Sequence, residues 1–324
     1  MLVSPDMIPD PLPHSMIVAI LGAGPAGMSC ANACLSFGLT PVVIERSDHV
    51  GGAQRTNFHP NLWMLGAPRE TGEEMTRRMA DHYASLPVTT RFQVELTRLE
   101  GESGNFRLTL HDQGGATDVL HVDAIVLATG MRPFATTELE ELARETCKVI
   151  IGPLSDTIRD GIRGSEVLIL GGGDNALDHA LYLAERGNRV TVCTRTAFSA
   201  RAAFMETCRA HAAIELRTGN LPTRLIPTEK GVRSEWPEED RDFDWLLVMY
   251  GYRPNTDLLE HFDPHLRPDM TTRGHIQVDT WQRTSTPGIY AAGDITDSPQ
   301  PSVPTAMAQG LAAARAIERD IVNS

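Results

Sequence analysis

The chain has 324 residues, 41% hydrophobic and 22% charged, the composition of a globular protein long enough for two domains and a sizeable core. Its formal net charge of −13 argues against nucleic acid or an anionic membrane surface as the main partner. No apolar run reaches the length of a membrane span. Residues 1–15 are rich in Pro and Asp and carry no basic residue ahead of an apolar core, so they read as a flexible tail and not as a signal peptide. The five cysteines, Cys30, Cys34, Cys147, Cys193 and Cys208, form no CxxC pair. Their odd number and the lack of a signal fit a reducing cytoplasm.

The first ordered stretch is Met16–Glu45. An apolar strand, Met16 to Leu21, breaks into Gly22-Ala23-Gly24-Pro25-Ala26-Gly27. An apolar helix runs from there to about Phe37, and a second buried strand, Pro41 to Ile44, ends on Glu45. This is a dinucleotide-binding β-α-β pattern. Gly22 permits the tight turn, Gly24 lets backbone approach a pyrophosphate, and Gly27 lets helix pack on strand. The N–H groups and dipole at the helix start suit a phosphate. Glu45, 23 residues after Gly22, suits a ribose diol. Arg46 follows it, and then Gly51-Gly52-Ala53-Gln54, where paired glycines suggest a second close approach of backbone to ligand.

Thr56–Pro68 is loop-like, and its Phe58, His59, Trp63 and Met64 would either stack on a flat ring or join the core. Thr71–Tyr83 reads as a helix with Thr71 and Glu74 as a capping box. Residues 88–122 alternate between turn signals and read as a small antiparallel sheet. A buried strand from Ala124 ends in Ala128-Thr129-Gly130, residues small enough to pass beneath a cofactor.

The opening pattern recurs about 150 residues on. Glu166–Leu170 is a strand, Gly171-Gly172-Gly173-Asp174-Asn175-Ala176 the turn, Leu177–Arg186 a helix, and Arg189–Cys193 the next strand. Two such units imply two dinucleotide sites. The position matching Glu45 is Thr194, followed by Arg195 and, nearby, Arg201. A carboxylate would repel a 2′-phosphate and arginines bind one, which favours NADPH over NADH at this second site. Residues 213–250 return to strands and turns. After Tyr252-Arg253-Pro254, the chain reaches a strand ending in Gly293-Asp294 and a last helix from about Pro304. Asp294 could hold a ribityl hydroxyl or a pyrophosphate-bound water. The dipole at Thr305-Ala306 could stabilise negative charge on a reduced flavin.

The order GAGPAG, ERSDHVGGAQ, LATG, GGGDNALDHALYL, GYRPNT and IYAAGD resembles the two-dinucleotide-binding flavoproteins, in particular their thioredoxin reductase-like branch. The resemblance implies an α/β protein of two Rossmann-like domains, the second inserted into the first: residues 16–133 plus 254–324 for FAD, and 134–253 for NAD(P)H. It places FAD on Gly22, Gly24, Gly27, Glu45, Gly52, Gln54, Gly293 and Asp294, and the second nucleotide on Gly171, Gly173, Asp174, Asn175, Ala176, Arg195 and Arg201. It also implies a homodimer, a hinge at Arg132-Pro133 and Arg253-Pro254, and no catalytic side chain or metal, since the flavin carries the chemistry.

One departure shapes the functional expectation. Where thioredoxin reductases carry a redox CxxC before the GGG turn, this chain has Leu154-Ser155-Asp156-Thr157. Dithiol exchange needs an attacking thiolate and a resolving partner. The expectation is therefore an NAD(P)H oxidoreductase passing electrons to an external acceptor, either a ferredoxin- or flavodoxin-like protein or a small molecule. The GGGDNALDHAL stretch looks like the ferredoxin/flavodoxin–NADP reductases of this branch. The alternatives are a disulfide reductase using Cys147 and Cys193, and a non-catalytic redox sensor.

Overall fold

The computed structural model describes residues 16–61, 64–67 and 69–322. The segment read as a tail and the Trp63 side chain weighed for ring stacking lie outside them. The chain divides into two compact units, one made of the residues up to Met131 and from Pro254 onward, the other of Arg132–Arg253.

The first unit opens with β1 (Ile17–Leu21), α1 (Pro25–Ser36) and β2 (Thr40–Glu45). β1 and β2 run parallel, with Ile17 opposite Thr40 and Leu21 opposite Ile44. Their continuous apolar runs suit strands covered on both faces. α2 (Gly72–Ala84) begins at the expected capping box: Thr71 Oγ1 accepts from Glu74 N, and the Glu74 carboxylate accepts from Thr71 N. β3 (Thr89–Phe92) then pairs parallel with β2. This corrects the sequence expectation, which placed residues 88–122 in one antiparallel sheet. Gln93 takes a positive φ of 58° and donates its N–H to Ser47 O, so the chain turns there. The antiparallel sheet is limited to β4 (Val94–Glu102), β5 (Asn105–Asp112) and β6 (Thr117–Val122). β7 (Ala124–Leu127), wholly buried, lies on the other side of β1 from β2.

The chain leaves through β8 (Met131–Pro133). The second unit contains α3 (Thr137–Glu145), β9 (Val149–Ile151), β10 (Glu166–Leu170), α4 (Asp174–Ala184), β11 (Arg189–Thr194), α5 (Ala202–Ala210) and β12 (Ile214–Thr218). An antiparallel trio follows, β13 (Arg224–Pro227), β14 (Val232–Glu235) and β15 (Asp240–Phe243), and then β16 (Trp245–Val248). The parallel sheet has the order β12-β11-β10-β16-β9. Leu168, Leu170, Leu246 and Val248 pack on Trp236 and Phe243 on one of its faces. The return strand, β17 (Tyr252–Pro254), pairs with β8.

The first unit is completed by β18 (Ile289–Ala291) and α6 (Val303–Val322), giving the sheet order β18-β7-β1-β2-β3. In both units the strand before the glycine turn is central, and the chain continues on one side of it and later on the other. That arrangement opens a crevice at the carboxyl ends of the strands, where ligands bind in open α/β sheets. α1 and α6 pack closely because their facing residues are small. A Cβ on Gly310 would stand 2.2 Å from Ala26 O, and Cys30, Ala31, Ala313 and Ala314 are fully buried.

Candidate functional site

In the first unit the glycine turn is sterically obligatory. Gly22 has φ +109°, and a Cβ there would lie 2.5 Å from Ala128 O at the end of β7. A Cβ on Gly27 would lie 1.9 Å from Gly22 O. Pro25 opens α1, where its missing N–H costs nothing. No side chain caps this helix, so the N–H groups of Ala26 and Gly27 have no partner within it. Gly24 and Gly52 face each other, and a Cβ on Gly52 would come within 3.1 Å of the Gly24 Cα. Gly51 N donates to Ala23 O at 2.8 Å, which ties this second glycine pair to the first turn.

Glu45 has a structural role that the sequence did not suggest. Its Oε2 accepts from Ala23 N at 2.7 Å, and its Oε1 accepts from Ser47 N at 2.9 Å and Ser47 Oγ at 2.8 Å. The carboxylate thus braces the glycine turn against the loop after β2. Arg46 is exposed beside it, and Gln54 is half-buried, with its Oε1 accepting from Asn57 Nδ2 at 3.0 Å. Thr129 Oγ1 donates to Asn255 O at 2.9 Å, and Gly130 O accepts from Asn255 N at 2.9 Å.

A second helix start converges on this turn. Gly293, at φ +82°, has room for no side chain, since a Cβ would lie 2.9 Å from Ala26 Cβ. Its N–H donates to Gln309 Oε1 at 2.8 Å, and Gln309 Nε2 donates to Thr296 Oγ1 at 3.1 Å. Gln309 therefore sets Gly293 and Asp294 relative to α6, a role with no local sequence signal. Asp294 is half-buried; burial raises its carboxyl above the usual range, and the nearby His275 opposes that shift. At the start of α6, Thr305 N donates to Ser302 Oγ at 3.3 Å and Ala306 N to Ser302 O at 2.9 Å. These two residues offer the helix dipole and no free donors.

The second unit has a different arrangement of charge. Gly171 has φ +151°, and a Cβ there would meet Met249 O at 2.4 Å. Gly173 precedes α4, whose first turn has no side-chain cap. Asn175 is exposed and Ala176 buried. A Cβ on Gly172 would meet Thr194 Oγ1 at 2.7 Å, so the residue matching Glu45 lies against the turn. Asp174 and Arg201 are joined: Arg201 N donates to Asp174 Oδ1 at 2.8 Å and Arg201 Nε to Oδ2 at 2.7 Å. Arg195 is exposed and has no ion-pair partner among the described residues.

Two uncapped helix starts, each behind a turn that only glycine can occupy, make concave sets of main-chain donors. Both fit the pyrophosphate of a dinucleotide. The half-buried Asp294 carboxyl beside the first set fits a hydroxyl-bearing chain.

The thiols are placed differently from a redox pair. Cys30, Cys34, Cys193 and Cys208 are buried and Cys147 is exposed; all five are free. Burial pushes both the Cys193 and Cys208 thiols up to about 11.

Known proteins agree with this architecture. The pattern of the family described as pyridine nucleotide-disulphide oxidoreductase matches residues 16–310. The chain is 28% identical to a ferredoxin–NADP reductase of Levilactobacillus brevis over 317 residues, 93% of this chain and 92% of that one. It is 27% identical to a thioredoxin reductase of Coxiella burnetii, over 95% of this chain and 97% of the relative. The crystal structure of Lactococcus lactis thioredoxin reductase in its FR conformation superposes with a TM-score of 0.78 at 23% identity, covering 95% of this chain and 100% of that one. No helix among the described residues is long and apolar enough to cross a membrane. The chain belongs to the pyridine nucleotide-disulphide oxidoreductase family and is an FAD-dependent oxidoreductase of NAD(P)H.

Proposed function

We propose that the first unit holds FAD, the second holds NADPH in preference to NADH, and the electrons leave to a ferredoxin- or flavodoxin-like protein or a small molecule, and not to a disulfide. FAD, when bound, would supply the redox chemistry of hydride acceptance from a nicotinamide and electron delivery to an acceptor. The chain's residues bind and orient. Gly22, Gly24, Gly27 and Gly52 clear the way for a pyrophosphate, to which the N–H groups of Ala26 and Gly27 would donate. Glu45 and Gln54 hold the loops that flank it, and Arg46 stands at the rim. Asp294, fixed through Gly293 and Gln309, accepts a hydroxyl of the ribityl chain. Thr129 and Gly130 form a floor without bulk, and the α6 dipole at Thr305-Ala306 favours negative charge near its start. In the second unit Gly171, Gly173 and Asn175 form the matching cradle, with the Ala176 N–H already given to Gly173 O at 3.1 Å, and Arg195 favours a 2′-phosphate.

The state of the thiols carries this reading. Thiolate is the species that attacks a disulfide, and two of the buried thiols are held protonated at neutral pH. The only exposed one, Cys147, has no second cysteine within a CxxC. Ferredoxin–NADP reductases are also among the chain's relatives at nearly full length.

The test is an anaerobic titration of the flavin with NADPH and with NADH, followed by turnover with ferredoxin, flavodoxin, a quinone and a thioredoxin disulfide. Flavin bleaching by NADPH and turnover with a carrier or quinone are expected. Bleaching by neither nucleotide, in protein that a chemical reductant does bleach, overturns the hydride path. Efficient reduction of the disulfide overturns the choice of acceptor.

A further inference from the structure

The two units place their acidic residue at different points of the same pattern. In the first, α1 has no acidic residue in its first turn, and the carboxylate is Glu45 at the end of β2. In the second, the strand end is Thr194, and the carboxylate is Asp174, the first residue of α4. A carboxylate at a helix start stabilises the helix, but it also opposes the approach of a phosphate to the same N–H groups. The second unit therefore needs something to cancel Asp174 if that helix start is to take an anion.

Arg201 meets Asp174 at this point. It is held at both ends, its main-chain N–H on Asp174 Oδ1 and its Nε on Oδ2, and its guanidinium carbon lies 4.8 Å from the centre of the Phe204 ring. The residues before it are tied to the glycine turn as well: Ser199 N and Ala200 N both donate to Gly172 O, at 2.8 and 3.1 Å. The loop after β11 thus closes on the turn and delivers a positive charge directly to Asp174. An arginine whose charge is cancelled at this distance adds little net attraction for a second anion. Arg195 is different: it immediately follows Thr194 at the strand end, where a ribose 2′ position lies in such units, and it carries an uncancelled charge.

We infer that Arg201 is the counter-ion of Asp174 and strengthens the binding of either dinucleotide alike, which leaves the choice between a 2′-phosphate and a hydroxyl to Arg195 as proposed above. This rests on reading the second unit as the NAD(P)H site, and it removes Arg201 from the 2′-phosphate role that the family resemblance implies.

The experiment is calorimetric titration of the FAD-loaded protein with NADP+ and NAD+, with flavin content and melting temperature checked for every variant. Arg201→Ala weakens both nucleotides alike, by about fivefold, because the bared carboxylate faces the pyrophosphate. Asp174→Asn in the Arg201→Ala background restores both, and Arg201→Lys, which keeps the charge, holds wild-type affinity. Arg195→Ala weakens NADP+ by about tenfold and leaves NAD+ within about twofold. A loss in Arg201→Ala that is confined to NADP+, or that Asp174→Asn fails to repair, overturns the inference. So does wild-type affinity in Arg201→Ala. Wild-type protein that takes up neither nucleotide overturns the reading of the second unit, and this inference with it.

Discussion

Glu45 Oε2 accepts the Ala23 main-chain N–H at 2.7 Å, so the residue that suits a ribose diol already closes the glycine turn. Its other oxygen receives two bonds from Ser47, leaving the carboxylate with little freedom to turn. Glu45→Gln keeps the size but must present an NH2 group to one of these donors. The expected outcome is a loss of about 1–3 kcal/mol of stability, the cost of unsatisfied buried partners, together with weaker FAD retention. Chemical unfolding of the flavin-loaded and flavin-stripped proteins checks it. Equal loss in both forms means that the turn is the main victim, and a larger loss in the loaded form means that ligand contact adds to it.

Gly310 tests the packing of α1 on α6. In an exposed helix, Gly→Ala would stabilise by about 1 kcal/mol. Here the added Cβ would stand 2.2 Å from Ala26 O and 2.9 Å from Cys30 N, both backbone atoms that cannot move aside. Gly310→Ala is expected to destabilise by about 1–3 kcal/mol, the range for an overpacked core. Because the helix-propensity and packing effects have opposite signs, a rise in melting temperature would show that the two helices can separate without cost.

Local signals made much of this fold legible in the sequence. Apolar runs marked the central strands, paired glycines marked the turns, and Thr71 with Glu74 marked a helix start. Where the expectation failed, the deciding contact was long-range. Nothing local says that β3 joins the parallel sheet, because this depends on Gln93 turning the chain against Ser47. Gln309 and Gly293 are 16 residues apart on different elements, so their bond has no pattern to betray it. Asp174 and Arg201 stood out singly as charges near a glycine turn, but their pairing depends on how the loop after β11 folds back.

Asp294 gives a pH signature. Burial raises its folded carboxyl above the ordinary value, so the folded state keeps its proton to higher pH than the unfolded chain does. Stability of the flavin-stripped protein therefore falls as pH rises from the ordinary carboxylate range through the raised value. Asp294→Asn should remove that fall, and the variant should be the more stable protein at neutral pH and equal to wild type in acid. The same change should weaken FAD by about tenfold, through loss of a charge-assisted hydrogen bond. Melting curves across pH and a flavin titration measure the two effects. A pH slope that survives in Asp294→Asn would assign it to another group.

The thiols give a final, quantitative expectation. Of the five free cysteines only Cys147 is exposed, and the others lie in the cores of the two units. Burial raises Cys193 and Cys208 to about 11, so each stays a protonated thiol at neutral pH. A thiol reagent should therefore modify one group quickly in the native protein and the remainder only after unfolding. Cys147→Ser should abolish the fast reaction and leave electron flow from NADPH to a quinone or carrier protein within about twofold of wild type, as expected where no thiol takes part in the chemistry. No fast-reacting thiol in the oxidised protein and two after reduction by NADPH would instead reveal a redox pair that includes Cys147 and return the disulfide-reductase reading.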